Sequence, residues 1–390
     1  MTHTNYCEKI ALVLSFLILS NYLFLSLNFS LILIKINFII FLFTILVFYF
    51  KNFLENPFLK IFFLCIIFIS LGTATFEWDP RSIWLFHAKV MFYEDSVLSL
   101  GDSYKFSHIE YPNLAPAFAS ALAILFGYWN EVFPKISFTL MFLPPLIMIS
   151  SFFKDVRYLI FISIVFFTVG KFLFNGWTDG LVAIYFGASA FLMYLLFIID
   201  SNFYKNRPIY YMLALCFFAS LTLIKNEGIA LLFVIFLSTF LINLFKLRLK
   251  RDISKFFLLS ISFLPIIIWK FFCYSKGIGD DYISTNILLN LLPRLEDLNN
   301  YKTISYFLFL NEKFLFALIF FLVSFWIKFD KELFSFIFII TLMYILILFI
   351  IYLSTPYDFY WQLNSSAARV IRSLSFLLAF FALYNIKIAK

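Results

Sequence analysis

Charge is scarce in this chain of 390 residues. Asp, Glu, Lys and Arg make up 13% of it, against 63% for hydrophobic residues. An ordinary soluble domain is about 25% charged and about 45–50% apolar, so a soluble class is excluded and an integral membrane protein is indicated. Histidine is rarer still, with three in all. The four cysteines (Cys7, Cys65, Cys216, Cys273) lie in or beside apolar runs without paired spacing. That excludes a disulfide framework and the common zinc patterns; the cysteines read as small buried hydrophobes, and no metal or other cofactor is expected. Ten glycines and eleven prolines form no low-complexity linker, and neither an internal repeat nor a soluble domain is visible. The formal charge of +8 does not point to nucleic acid. The basic residues sit in short loops between apolar runs, where the positive-inside effect puts them.

What is there is hydrocarbon at spanning length. A transmembrane helix needs about 20 apolar residues, and twelve segments qualify: 10–29, 31–50, 58–75, 131–152, 157–174, 180–199, 209–224, 227–246, 256–273, 305–327, 333–353 and 366–384. The first run has no small-residue cleavage site after it, so it is expected as an uncleaved span. The block Lys246, Arg248, Lys250, Arg251 and Lys255 fixes a cytoplasmic side. Lys51, Lys60, Lys154, Arg157, Lys205, Arg207, Lys328, Lys331, Lys387 and Lys390 join it only if the shorter 113–129 stretch fails to cross. The expectation is an all-α bundle of about 12 spans plus a re-entrant or interfacial helix, with both termini cytoplasmic. The 76–111 loop, 177–179, 225–228, 274–304 and 361–369 then share the outer face.

The 76–111 stretch concentrates chemistry: two of the three histidines and six carboxylates against three basic residues. Asp79-Pro80 reads as a helix start with Asp as the cap, followed by an apolar face (Ile83, Trp84, Phe86, Val90, Met91) suited to the membrane interface. Asp79 reads equally as a carboxylate at a cavity mouth, able to take a proton from a hydroxyl, with Glu77 as a second carboxylate of the same site. His87 reads as an interfacial hydrogen-bonder or a site neighbour. His108 and Glu110, ahead of Tyr111-Pro112, read as a wet loop or as supporting groups. Asp179 is a helix cap or a functional intramembrane carboxylate. Lys225-Asn226-Glu227-Gly228 breaks a long apolar run, either as a tight hairpin with a local ion pair or as a lysine facing an anionic ligand, oriented by Glu227. Arg369, near a helix start after an aromatic belt at 357–362, needs an anionic partner, either Asp358 or a ligand such as a lipid phosphate.

Together this order resembles the GT-C superfamily of polytopic glycosyltransferases, most of all the bacterial protein O-mannosyltransferase and aminoarabinose-transferase branch (glycosyltransferase family 39-like). The likeness rests on Glu77-Trp78-Asp79-Pro80, His108-Ile109-Glu110-Tyr111-Pro112, Asp179, Lys225-x-Glu227-Gly228 and the Trp361…Ser366…Arg369 element, and covers roughly 58–385. The chain departs from that pattern in having Glu-Trp-Asp where some relatives have adjacent acids, Asn113 in place of a second Pro, and two additional helices over 1–57 ahead of a catalytic bundle at 58–390. The resemblance implies a bacterial plasma-membrane enzyme working on the extracytoplasmic face without a metal. A polyprenyl-phosphate sugar would be the donor, and a hydroxyl on lipid, glycan or protein the acceptor. Asp79, with Glu77, would serve the acceptor, while Lys225 and Arg369 would hold the leaving phosphate. The alternatives are a glycan ligase or polymerase, a flippase for lipid-linked sugars, and a non-enzymatic assembly subunit.

Overall fold

The computed structural model describes residues 3–51, 56–103, 108–199, 204, 207–245, 249–279 and 287–388. Lys205, Lys246, Arg248 and Lys390 lie outside the described residues, as do 104–107 and 280–286 of the two long polar loops and the side chains of Lys250 and Arg251. The described chain is helical throughout, without a strand. Each of the twelve expected segments overlaps a helix, and among the described residues nine of these helices are long and apolar enough to cross a membrane. Two others, Pro57–Gly72 and Pro208–Ile224, are shorter, at 16 and 17 residues.

The 305–327 segment is not one helix. Leu298–Phe309 and Glu312–Ile327 meet at 74°, because Asn311 starts the second: its Oδ1 accepts from the backbone N–H groups of Lys313 and Phe314 at 3.1 and 3.3 Å. An Asn followed by Glu is a helix-start signal inside an apolar run.

Asp179–Met193 is the axis of the molecule, with every residue buried. Arg372–Ile388, Pro208–Ile224 and Asn226–Phe245 pack around it. The first two helices, His3–Ser26 and Leu31–Lys51, pack onto this body through Leu143–Ser150, Pro208–Ile224 and Leu114–Phe126. Leu114–Phe126 has its residues 114–124 buried, so it is enclosed by protein and does not float at a lipid interface. The expected interfacial helix is also packed on protein: of its expected face Ile83, Trp84, Val90 and Met91 are buried, Phe86 is partly buried, and Leu85–Glu94 packs on Leu114–Phe126.

Polar groups collect at two opposite ends. At one, Arg207 Nη2 donates to the Glu8 carboxylate at 2.7 Å, and Lys51 lies over the Tyr6 ring. At the same ends of their own helices, Lys328 Nζ donates to the Ile388 carbonyl at 2.7 Å. Pro208–Ile224 leads from Arg207 to Lys225, and Arg372–Ile388 leads back from Ile388 to Arg372. Lys225, Arg369 and Arg372 thus lie at the other end, with Asp79 and Asp179.

Candidate functional site

Asp79 precedes a π-turn, Pro80–Trp84, that runs into Leu85–Glu94. Its backbone is already helical (φ −57°, ψ −50°) and its carboxylate caps nothing, contrary to the Asp-Pro cap expectation. Instead Oδ2 accepts from Arg369 Nη1 at 2.5 Å, across 290 positions of chain. The Arg369 guanidinium lies over the Trp177 ring, 4.5 Å from its centroid. Asp358 is not the partner of Arg369: its Oδ1 caps Phe359–Val370 by accepting from the Trp361 N–H at 2.8 Å.

The second cation comes from a helix break. Pro208–Ile224 ends at Lys225, whose backbone is extended (φ −159°, ψ 153°), and Asn226–Phe245 starts at once. Gly228 makes the break possible. Its N–H donates to the Lys225 carbonyl at 2.8 Å, and a Cβ there would sit 1.9 Å from the Leu221 carbonyl oxygen. Lys225 Nζ lies 3.0 Å from Asp179 Oδ1 and 3.0 Å from Glu227 Oε1. Burial opposes charge on Lys225, but the carboxylates of Asp179 and Glu227 outweigh it and raise its pKa above the ordinary lysine value.

Asp179 opens its helix without capping it. It is 3% exposed, binds Lys225 through Oδ1, and keeps Oδ2 and the neighbouring Arg369 Nε without hydrogen-bond partners. Arg369 lies in the field of Asp179 as well as in contact with Asp79. The order Glu227, Lys225, Asp179, Arg369, Asp79 is therefore an alternation of sign. Buried charges persist when they are paired, and here three carboxylates compensate two cations.

Glu77 stands apart from this ladder. Its carboxylate accepts from Lys171 Nζ and from Trp177 Nε1, which ties the chain before Asp79 to the Gly170–Asp179 loop. Asp79 lines the cavity, and Glu77 is not among its lining residues. His87 is buried, with Nδ1 2.8 Å from Asn113 Oδ1; Asn113 Nδ2 donates to the Tyr111 carbonyl at 2.8 Å. His108, at φ 52°, stacks on the Tyr111 ring, which has Trp84 on it as well. Glu110 lies 3.5 Å from His108 Nδ1, and its carbonyl accepts from Trp269 Nε1 and Lys270 Nζ at 3.2 Å each. Of this group only Tyr111 reaches the cavity; His87, His108 and Glu110 surround and fix it.

The cavity holds about 380 Å³ and is lined by Asp79, Tyr111, Lys225, Glu227 and Arg369, together with Tyr344, Tyr352, Gln362 and Ser366. Its apolar wall is Ala230, Leu348, Ile351 and Val370. Tyr352 Oη and Ser366 Oγ are 3.0 Å apart. A concave site with a mostly apolar wall and a few convergent polar groups is the usual form of a small-molecule site. Tyr344 and Tyr352 went unnoticed in sequence because 22 tyrosines and 60 phenylalanines hide them. The legible signal was the helical spacing 344, 348, 351, 352 on one face of Lys331–Ser354. Lys171 was missed too, having no local pattern to mark it. Comparison with protein-family models, curated proteins and solved structures finds no match to this chain. Among the described residues no three His, Cys, Asp or Glu side chains are grouped to hold a metal ion.

Proposed function

We propose that this protein is a membrane glycosyltransferase that moves a sugar from a polyprenyl-phosphate donor to a hydroxyl acceptor, with the extracytoplasmic face as its working side. The observation that carries this reading is the Asp79–Arg369 pair at 2.5 Å, on the wall of one cavity with Lys225 and an apolar side. A base for a hydroxyl and a cation for a phosphate are the two groups such a transfer needs.

The donor phosphate takes over the Arg369 guanidinium, whose planar donors suit phosphate oxygens, and the Asp79 carboxylate is released toward the acceptor. The acceptor hydroxyl gives its proton to Asp79 as its oxygen attacks the anomeric carbon. The bond from that carbon to the phosphate oxygen breaks, and polyprenyl phosphate leaves with inversion. Lys225, which lines the same cavity, offers its ammonium as a hydrogen-bond donor to the leaving phosphate oxygens. Glu77 keeps the loop in place and takes no proton.

The test is to supply the purified chain with polyprenyl-phosphate monosaccharides and hydroxyl acceptors and to measure released polyprenyl phosphate. Release by the wild type, lost in Arg369→Ala, is the expected result. Intact donor with every sugar, or donor carried across a proteoliposome uncleaved, would remove the transferase reading.

A further inference from the structure

Arg372 and Lys313 are a second set of cations, and neither lines the cavity. Arg372 follows Arg369 by three residues. Arg369 lies over Trp177, and Arg372 lies over Phe172 at 4.2 Å. The two rings meet edge to face at 5.3 Å, so the guanidinium groups bracket the loop. Arg372 Nη1 donates to the Val169 carbonyl at 3.0 Å, and its buried Nε has no hydrogen-bond partner.

Lys313, from Glu312–Ile327, reaches the same spot. A methyl group placed on Gly170 would lie 3.4 Å from Lys313 Nζ and 3.9 Å from Arg372 Nη1. Gly170 has φ +59°, a conformation glycine adopts without penalty, and its missing side chain leaves open the space at which both cations aim. Neither cation has a carboxylate partner within ion-pair distance among the described residues. Glu312 and Asp179 act on Arg372, and Glu312 on Lys313, only at longer range; Lys171 is engaged by Glu77, and its charge adds to the repulsion on Lys313. Two half-buried cations sharing one space favour an anion between them.

Below them the surface is apolar. Phe316 is one turn past Lys313, Phe167 is three residues before Gly170, and their rings meet at 4.7 Å while 43% and 42% exposed. Cations above and exposed rings below, where Val156–Leu173, long enough to span, meets the 16-residue apolar helix Glu312–Ile327, are the chemistry of a lipid with an anionic head.

We propose that Arg372 and Lys313 form a binding site for the phosphate head group of an anionic membrane lipid, with Phe167 and Phe316 under its acyl chain. This site does not depend on the sugar-transfer reading.

The test is residue-resolved acetylation of lysines in the purified full chain, read by mass spectrometry. Short-chain phosphatidylglycerol, phosphatidylcholine or inorganic phosphate is present in separate arms. Phosphatidylglycerol should slow acetylation of Lys313 about tenfold once the site is nine-tenths filled, leave exposed Lys89 unchanged, and lose its effect in Arg372→Gln. If Arg372→Gln does not fold, Lys313→Gln replaces it, and loss of the lipid's thermal stabilisation is read instead. Equal protection by phosphatidylcholine or by inorganic phosphate, no protection at all, or an effect that survives the variant would overturn the assignment.

Discussion

Replacing Lys225 with methionine isolates what the buried charge ladder contributes. Lys225 is 6% exposed and Asp179 is 3% exposed, so removing the ammonium strands a carboxylate that water cannot reach. Removing one partner of a buried pair costs about 3–5 kcal/mol. Two details place Lys225→Met near the lower end. Arg369 still attracts Asp179, and Glu227, with its side chain 25% exposed, can rehydrate. About 3 kcal/mol is therefore expected, a shift of roughly 150-fold in the unfolding equilibrium constant. Asp179→Asn should cost less, about 1–2 kcal/mol, because Lys225 keeps Glu227 at 3.0 Å. The double variant should be less destabilised than the two singles together, since the stranded charge is gone. The assay is equilibrium unfolding in mild detergent followed by tryptophan fluorescence, for all four members of the cycle. A Lys225→Met protein within about 0.5 kcal/mol of wild type, or strict additivity, would show that the buried ladder does not stabilise the fold.

Two structural predictions accompany it. Gly228→Ala puts a Cβ 1.9 Å from the Leu221 carbonyl oxygen, and backbone cannot yield as a side chain can; a loss of about 3 kcal/mol or more should appear as a lower unfolding midpoint and poor recovery from the membrane. Glu77→Ala removes the acceptor for Lys171 and Trp177 and should cost about 1–3 kcal/mol, with faster amide hydrogen exchange confined to 170–178; unchanged exchange there would show that Glu77 does not hold the loop.

The spans and the polar breaks were legible because each is a local property. Apolar length marks a span, and a Lys-Asn-Glu-Gly break inside such a run marks a hinge. What sequence leaves open is which distant group each break meets. Arg369 demanded an anion, and the nearby Asp358 was the natural choice on sequence distance. Asp358 is occupied by its own helix start, and the partner is Asp79, 290 positions away. Glu77 and Asp79 look interchangeable two residues apart, but their carboxylates meet different partners, Lys171 with Trp177 for the one and Arg369 for the other. The Leu298–Ile327 bend was written in Asn311-Glu312 and overlooked because hydrophobicity on both sides reads as one span. The apolar face of Leu85–Glu94 carries no mark to tell lipid from protein, and it meets Leu114–Phe126.

In the proposed transfer Asp79, and not its neighbour Glu77, accepts the proton of the attacking hydroxyl. The direct measurement is kcat for polyprenyl phosphate release at saturating donor, normalised to folded protein, for wild type, Asp79→Asn and Glu77→Gln. Asp79→Asn should lower kcat by about 10²–10⁴-fold, the range for loss of a general base, while Glu77→Gln stays within about tenfold of wild type. Full turnover in Asp79→Asn, or an equal loss in Glu77→Gln, would contradict it.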